Sequence, residues 1–226
     1  MTWIKICGMT NLGDALVAVE AGADAVGFVF YAKSPRNVSV EAAREICSRL
    51  PESVEKVGVF VDADAGRIRE IAQEAGLSAV QLHGDVSCES VLGDARPPME
   101  CVGVSKVIVM VSSEVLVQDT GVMIKRRLTE KAFAVLVDSQ FEGAPGGTGK
   151  QFDWDKARPV AHWLSLHIPV IVAGGLNASG VSEAIRIFQP FGVDVVSGVE
   201  AQPGKKDPAK VRAFVLAVRE ADRRAV

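Results

Sequence analysis

Four side chains suited to acid–base or anion-binding chemistry stand where short apolar runs of the sequence end or in the loops that follow them. They are Cys7, Arg36, His83 and Asp138. A thiolate can act as a base, a carboxylic acid can donate a proton, and a guanidinium fork matches a carboxylate. Taken singly, each has another explanation: Cys7 suits a small buried apolar position, Asp138 a helix cap or a lysine partner, Arg36 a solvated loop, and His83 a structural histidine.

Two pairs of small residues late in the chain favour a phosphate ligand. Gly174 and Gly175 follow one apolar run directly, and Ser197 and Gly198 follow the next. Glycine lets bare backbone N–H groups approach a phosphate, and the positive end of a helix dipole behind the turn adds attraction. The same glycines would also suit tight turns, so that explanation stays open. Two pairs after consecutive runs predict a phosphate site formed by all four residues.

The apolar runs themselves predict the strands of a parallel sheet. They are rich in valine and isoleucine and nearly continuous, as expected for strands that are covered on both faces. The predicted strands are Trp3–Ile6, Ala25–Phe30, Lys56–Val61, Ala79–Leu82, a stretch within Glu100–Val111, Phe133–Val137, Pro169–Ala173 and Val193–Val196.

Amphipathic segments between these runs predict helices. Capping residues precede several of them, and glycine or proline follows, as is typical of helix ends. The predicted helices are Asn11–Ala21, Ser39–Leu50, Arg67–Ala75, a helix capped by Asn177 or Ser179 that ends at Phe188, and a final helix that starts at Asp207–Pro208.

Eight alternations of strand and helix in 226 residues predict an α/β fold, a single (β/α)8 TIM barrel. An open doubly wound sheet is the alternative. No Pro- or Ser-rich linker divides the chain, so we expect one catalytic domain over residues 1–226. The fifth unit is the least regular: we expect its strand early in Glu100–Lys131, its helix late, and Lys125–Arg127 on a solvated helix face. In such a barrel the residues that follow the strands share one mouth.

The composition argues against several classes of partner. The formal net charge is −3 and no Lys/Arg block suggests nucleic acid or an anionic membrane. Met1–Gly8 resembles a strand entering a turn rather than a secretion signal, and no apolar run is long enough to cross a bilayer. The four cysteines form no CxxC pair, and the three histidines lack metal-ligand spacing. We therefore expect a soluble cytoplasmic protein without a metal site or disulfides, in which Cys47, Cys88 and Cys101 are small buried residues.

Short motifs recur in order from one end of the chain to the other. The most specific is Lys5–Ile6–Cys7–Gly8–Met9–Thr10–Asn11, and the rest are Gly27–Phe30, Ser34–Arg36, Val57–Phe60, Gln81–Asp85, Val137–Ser139, Gly146–Gly149 with Phe152–Trp154, Ala173–Asn177 and Ser197–Glu200. Together they resemble the phosphoribosylanthranilate isomerases, whose signature is KICG[ILM]T. The resemblance is weakest between Met99 and Phe133, where the sequence departs from the family's compact fifth unit.

This resemblance implies an Amadori rearrangement in tryptophan biosynthesis, without metal or cofactor. N-(5-phosphoribosyl)anthranilate becomes 1-(2-carboxyphenylamino)-1-deoxyribulose 5-phosphate. By match to the motifs, Asp138 would be the general acid, Cys7 the general base, Arg36 the partner of the anthranilate carboxylate, and His83 a substrate contact. We expect partial exposure and nearby positive charge to lower the pKa of Cys7. Desolvation beneath a lid formed by Gly143–Gly149 would raise the pKa of Asp138.

Two other kinds of function stay open at this point. Another phosphate-binding barrel enzyme, such as ribulose-phosphate epimerase or indole-glycerol-phosphate synthase, would need metal-binding histidines or catalytic lysines at the mouth, and neither Lys5 nor Lys33 fits well. A catalytically silent barrel that senses a phosphorylated metabolite would have no use for both Cys7 and Asp138. In each case the partner is a small phosphorylated molecule, and we expect a monomer or a homodimer.

Overall fold

Eight parallel strands of the computed structural model close into a barrel. The model describes residues 1–84, 88–92, 104, 106–112, 132–138 and 154–224. The strands are β1 (Trp3–Cys7), β2 (Ala25–Phe30), β3 (Glu55–Val61), β4 (Ala79–His83), β5 (Lys106–Ser112), β6 (Ala134–Asp138), β7 (Val170–Val172) and β8 (Gly192–Val195). They pair in chain order, and β8 pairs with β1, where Lys5 lies opposite Asp194. This closure confirms the predicted (β/α)8 barrel and makes the open-sheet alternative wrong.

Helices of the described chain alternate with the strands. They are α1 (Leu12–Ala21), α2 (Val40–Cys47), α3 (Ala65–Ala75), α4 (Cys88–Leu92), α5 (Trp154–Ser165), α6 (Val181–Phe188) and α7 (Pro208–Arg224). The Asn11 side chain accepts a hydrogen bond from Asp14 N at the start of α1, and Gly22 ends that helix with φ 99°. Glycine suits this left-handed position because it has no Cβ.

Three predicted helix ends differ from the structure. Helix α2 stops at Cys47 rather than Leu50. Helix α3 starts before the predicted Arg67, because Asp64 accepts hydrogen bonds from the first-turn N–H groups and caps the helix earlier. Asn177 caps the turn that precedes α6 instead of the helix itself, since its Oδ1 accepts from Ser179 N and Gly180 N. The predicted fifth helix and the Lys125–Arg127 segment lie outside the described residues.

A short antiparallel hairpin follows the last barrel strand. Strands β9 (Glu200–Gln202) and β10 (Lys205–Lys206) come after a 3₁₀ turn at Ser197–Val199 and precede α7. Gly204 has φ 79° in the hairpin turn, and its carbonyl accepts a hydrogen bond from Thr10 Oγ1 at 2.5 Å. The hairpin was not predicted from the sequence, and it carries two buried charged residues of the site described below.

The barrel separates two apolar regions. Side chains such as Ile4, Ile6 and Phe28 pack outward against the helices. Side chains such as Ala134 and Leu136 fill the barrel interior. Residues two apart share one face of a strand, so each strand sends alternate residues inward.

The last helix fastens the two ends of the described chain together. Arg219 on α7 donates to the carbonyl of Thr2 at 2.6 Å, and Asp222 accepts from Thr2 N at 3.0 Å. Of the cysteines expected to be buried, Cys47 and Cys88 are buried, and Cys101 lies outside the described residues. Among the helices that the structure describes, none is long and apolar enough to cross a membrane.

Candidate active site

Three of the four candidate side chains stand at the carboxyl ends of barrel strands. Cys7 is the last residue of β1, His83 of β4 and Asp138 of β6. Each lies on the inner face of its strand: Cys7 is level with Gly27, which continues the interior row of Ala25, and Asp138 continues the row of Leu136. Parallel strands have their carboxyl ends at the same end of a barrel. The structure therefore brings a thiol, an imidazole and a carboxyl group to one mouth.

Cys7 is more deeply buried than the sequence suggested. Its residue is only 4% exposed, and a Cβ at Gly27 would lie 2.5 Å from its Sγ, so glycine on the next strand makes room for the thiol. Burial raises the pKa of Cys7 above its ordinary value, while the cations Lys5 and Lys206 oppose that rise and Asp194 adds to it. The expectation of a partly exposed thiol with a lowered pKa is wrong, because desolvation outweighs the nearby positive charge.

A buried lysine lies two residues before Cys7 on the same inner face. Lys5 is fully buried, and its Nζ is 3.0 Å from Asp194 Oδ1 across the β1–β8 seam. Burial alone would lower the pKa of Lys5, but the charges of Asp194 and Cys7 outweigh it and the pKa is raised. Lys5 is thus a cation inside the barrel. From the sequence, Lys5 is a candidate only for the catalytic lysine of another enzyme; its alternation with Cys7 in a strand is the signal that places it beside the thiol.

Arg36 is buried against the turn that follows β1. It is 7% exposed, so the solvated-loop explanation is wrong. Gly8, with φ 84°, lets its side chain pass, because a Cβ there would lie 2.9 Å from Arg36 Cδ. The Nε and Nη2 atoms donate to the two oxygens of Glu200 at 2.9 and 2.7 Å. These hydrogen bonds raise the pKa of Arg36 further, against the opposing effect of burial.

Glu200 and Lys206 of the hairpin complete this group, and the sequence reasoning missed both. Lys206 Nζ donates to the Cys7 carbonyl at 2.6 Å and to Glu200 Oε1 at 3.2 Å. Burial lowers the pKa of Lys206, and Glu200 opposes that change. Burial would raise the pKa of Glu200, but Arg36 and Lys206 outweigh it and the pKa is lowered. Glu200 was noticed only as the end of a matching motif, and its distance along the chain from Arg36 hid the pairing.

His83 is a neutral side chain within the barrel mouth. Its Nε2 is 2.7 Å from Gln81 Nε2. Burial, followed by the charge of Lys5, lowers the pKa of His83 to about 4. A neutral imidazole has one donor and one acceptor nitrogen, so it suits hydrogen bonding to an uncharged group better than holding an anion. Within the described residues, Gln81 Oε1 is buried and has no hydrogen-bond partner.

The two small-residue pairs lie on neighbouring turns, after β7 and around the 3₁₀ turn that follows β8. Gly174 and Gly175 have φ of 89° and 66°, which only glycine adopts readily. A Cβ at Gly198 would overlap the carbonyl oxygen of Leu176, so the two turns approach closely only because Gly198 has no side chain. Helix α6 begins just beyond the first turn.

The described part of the chain contains no group of His, Cys, Asp or Glu residues that could hold a metal ion. The predicted lid at Gly143–Gly149 lies outside the described residues, so the pKa expected for Asp138 beneath it stays a prediction.

Comparison with known proteins identifies this arrangement. The family model of N-(5'phosphoribosyl)anthranilate (PRA) isomerase matches residues 4–217. The chain is 46% identical to the N-(5'-phosphoribosyl)anthranilate isomerase of Thermotoga neapolitana, over 95% of this chain and 97% of that protein. It is 44% identical to the enzyme of the same name from Pseudomonas paraeruginosa, over 97% of this chain and 96% of that protein.

Solved structures agree with the sequence relatives. The phosphoribosyl anthranilate isomerase of Thermotoga maritima has a TM-score of 0.80 and 38% identity, covering 97% of this chain and 100% of that one. A phosphoribosyl anthranilate isomerase in complex with reduced 1-(o-carboxyphenylamino)-1-deoxyribulose 5-phosphate has a TM-score of 0.77 and 38% identity, with the same coverage. Family model, relatives and fold coincide, and the chain belongs to the N-(5'-phosphoribosyl)anthranilate isomerase family.

Proposed function

We propose that this chain catalyses the Amadori rearrangement of N-(5-phosphoribosyl)anthranilate to 1-(2-carboxyphenylamino)-1-deoxyribulose 5-phosphate in tryptophan biosynthesis. The observation that carries the proposal is the pair Cys7 and Asp138, each the last residue of a barrel strand and each on the inner face. They occur in a chain that the family model matches over residues 4–217. A catalytically silent barrel would not need an acid and a base at one mouth.

Asp138 acts as the general acid and Cys7 as the general base. Protonation of the furanose ring oxygen by Asp138 breaks the C1–O bond, and the nitrogen lone pair forms a Schiff base at C1. The Cys7 thiolate then removes the C2 proton, and the C2–H electrons form the enolamine double bond. Tautomerisation moves a proton to C1 and leaves a ketone at C2, so the substrate is isomerised without net oxidation.

The buried position of Cys7 sets the electrostatic requirement for the base. Burial raises the pKa of Cys7, and Lys5 and Lys206 supply the positive charge that opposes this rise. The Schiff base adds a further positive charge close to C2 as the proton leaves. Opposite charges favour an ionised thiol, so the thiolate is best stabilised when the intermediate that it must deprotonate is present.

The two ends of the substrate have separate anchors in this proposal. Arg36 binds the anthranilate carboxylate, since a guanidinium presents its donors in a plane that matches two carboxylate oxygens. Backbone N–H groups at Gly174, Gly175, Ser197 and Gly198 bind the phosphate. The positive φ of the first two glycines and the close approach at Gly198 support this assignment. Anchoring both ends orients C1 and C2 toward the acid and the base.

We also propose that residues 1–226 work as one catalytic domain. The barrel takes strands from Trp3 to Val195, and α7 returns to bond with Thr2. His83 is proposed as a neutral substrate contact. A cytoplasmic location and a monomeric or homodimeric state stay predictions; one structural relative is a monomer generated from the dimeric enzyme of Thermotoga maritima.

The test is the loss of the substrate's anthranilate fluorescence when the protein is added without metal or cofactor. We expect wild type to convert the substrate and Asp138→Asn to lower kcat by about 10²- to 10⁴-fold, the usual contribution of a general acid, with a much smaller change in KM. A metal-free wild-type preparation that binds the substrate but never converts it would support the silent barrel instead.

A further inference from the structure

We propose that Glu200 is a positioning residue that holds Arg36 in the orientation needed for the substrate's carboxylate. This inference rests on the proposed function, because it assigns a role within the same site. It goes further in naming the β9–β10 hairpin as the element on which recognition of the aromatic carboxylate depends. Its basis is a group of three buried charged side chains, Arg36, Glu200 and Lys206.

The contacts of Glu200 show that it acts on protein groups. Its Oε1 accepts from Arg36 Nε at 2.9 Å, from Lys206 Nζ at 3.2 Å and from Gly204 N at 3.2 Å. Its Oε2 accepts from Arg36 Nη2 at 2.7 Å. Three of these bonds go to Oε1 and one to Oε2, so protein donors contact both oxygens and Arg36 contacts each of them. Glu200 is therefore suited to hold Arg36 rather than to bind or deprotonate a substrate.

The two-point contact determines how the guanidinium is turned. Glu200 holds the edge formed by Nε and Nη2, so the orientation of the guanidinium plane depends on Glu200. With Gly8 against its stem and Glu200 against one edge, Arg36 can rotate little. A side chain that is already ordered loses less entropy on binding, so preorganisation by Glu200 would increase affinity for the carboxylate.

Lys206 connects this arrangement to the backbone of Cys7. Its three N–H donors go to the Cys7 carbonyl at 2.6 Å, the Val196 carbonyl at 3.2 Å and Glu200 at 3.2 Å. The hairpin thus bonds to the ends of β1 and β8 and, through Glu200, to the loop that carries Arg36. One continuous chain of hydrogen bonds therefore joins Arg36 to the backbone of Cys7 through Glu200 and Lys206.

A purely structural role is the competing explanation. Breaking a buried ion pair leaves an uncompensated charge and destabilises the fold whatever the site does. Loss of stability in a Glu200 variant therefore does not distinguish a structural role from a positioning role. The test needs a measurement that depends on the substrate's carboxylate. The substrate offers one, because the same phosphoribosylamine made from aniline in place of anthranilate has no carboxylate.

The experiment compares KM and kcat for both substrates in wild type, Glu200→Gln, Glu200→Asp, Arg36→Lys and the double variant Arg36→Lys/Glu200→Gln. Glu200→Asp keeps the charge, so it protects the fold, but its shorter arm cannot reach both Arg36 donors and Lys206. The matched control is Glu183→Gln. Glu183 holds Arg186 through the same two guanidinium nitrogens, at 2.8 and 2.6 Å, but on the exposed surface of α6.

We expect Glu200→Gln to raise KM for the anthranilate substrate roughly 10- to 100-fold, the range for a hydrogen bond to a charged group, with kcat changed only slightly. Glu200→Asp should raise it less, and Glu183→Gln should leave both constants at the wild-type value. Arg36→Lys and the double variant should have similar KM values, because Glu200 acts through Arg36. Neither Glu200 variant should raise KM for the aniline substrate.

Three results would overturn the inference while leaving the proposed function intact. They are an unchanged KM in both Glu200 variants, equal increases for the two substrates, and effects of the two single changes that multiply in the double variant. If wild type converts neither substrate, the proposed function fails and the inference fails with it.

Discussion

Among the residues that the structure describes, two lysine–carboxylate pairs inside the barrel have very different surroundings. Lys5 and Asp194 join β1 to β8, with side chains 0% and 5% exposed. Lys106 and Glu55 stand at the first residues of β5 and β3, with side chains 33% and 20% exposed. Both pairs lie on inward-facing strand positions, yet the first adjoins Cys7 and the second lies at the opposite end of the barrel.

The second pair closes the amino-terminal end of the barrel. Glu55 also accepts from Ser78 Oγ at 2.7 Å, and the ammonium of Lys106 stands 4.7 Å from the centre of the Phe133 ring. Phe133 in turn contacts Phe191 edge-on, which stacks with Trp3. These charged and aromatic groups cover the end of the core where no candidate side chain lies. A partly exposed pair of this kind contributes only about 0–1 kcal/mol to stability.

The first pair has no comparable structural explanation. Transferring two charges to a dry interior costs several kcal/mol, and replacing a buried pair by apolar residues often leaves stability unchanged or raises it. What Lys5 does is favour the ionised form of Cys7. The difference indicates that the same two residue types have different roles at the two ends. At the mouth the lysine favours the ionised thiol, and at the amino-terminal end the pair helps to close the barrel.

The largest expected effect is a loss of kcat, which should follow substitution of a cysteine at the mouth but not of one elsewhere. Cys7→Ala should lower kcat by about 10²- to 10⁴-fold, with a much smaller effect on KM, because the thiol acts on the transition state. Cys7→Ser should be nearly as damaging, since a hydroxyl does not ionise near neutral pH. Steady-state assays measure both constants.

Cys47 provides the matched control for this change. It is a buried cysteine packed outside the barrel, and burial raises the pKa of its thiol to about 12. Cys47→Ala should keep the wild-type kcat. Full activity in Cys7→Ala together with loss of activity in Cys47→Ala would remove Cys7 from the role of base.

An intermediate effect is expected when the lysine of the inner pair, Lys5, is replaced by methionine. The groups that act on Cys7 are Lys5 on its own strand, Asp194 on β8 and Lys206 in the hairpin, and Arg36 of the loop after β2 also interacts with the thiol. Loss of the Lys5 charge disfavours the thiolate and so raises the pKa of Cys7. The acidic limb of kcat/KM should move to higher pH by about 1–3 units.

Lys106→Met is the counterpart at the closed end. It should leave the acidic limb where it is and change the free energy of unfolding by about 0–1 kcal/mol. Equal shifts of the limb in Lys5→Met and Lys106→Met would contradict the division between the two ends. An unmoved limb in Lys5→Met would show that Lys5 does not tune the thiol.

The smallest expected effect concerns His83 and the stability of the mouth in acid. Burial lowers the pKa of His83 from 6.5 to about 4. Between these values the folded protein binds fewer protons than the unfolded chain, so its stability falls as the pH drops through that window. Unfolding free energies from denaturant titrations should fall more steeply with decreasing pH in wild type than in His83→Gln, between about pH 6.5 and pH 4.

The exposed His167 is the control residue for this measurement. His167→Gln should retain the wild-type dependence of the unfolding free energy on pH. A wild-type unfolding free energy that has the same pH dependence as that of His83→Gln would mean that His83 is not held in its neutral form by the fold.

Much of the architecture could be predicted from local pattern. The Val- and Ile-rich runs predicted seven of the strands to within one residue at each end, because a strand covered on both faces must be apolar throughout. The fifth was placed only within Glu100–Val111, and β5 ends one residue later, at Ser112. Asn11 and Gly22 marked the ends of α1, because capping depends on residues adjacent in the chain. The positions of Cys7 and Asp138 at strand ends followed from the same runs.

The partners of the charged residues could not be predicted in this way. Arg36 and Glu200 are 164 positions apart, and Lys5 and Asp194 are 189 apart. Only closure of the barrel brings these residues together, and pattern along one segment has no information about it. The burial of Cys7 was misjudged for the same reason, since neighbouring strands and the hairpin provide the cover.

The sequence by itself determined the alternation of strands and helices, the strand-end location of Cys7 and Asp138, and the glycines whose turns need positive φ. These depend on hydrophobic periodicity and backbone sterics, which act over a few residues. Tertiary structure alone decided that Cys7 is desolvated, that Lys5 is a buried cation beside it, and that Arg36 donates hydrogen bonds to Glu200 instead of being solvated. Each of these depends on the dielectric environment and on charges from distant segments, which exist only once the barrel has closed.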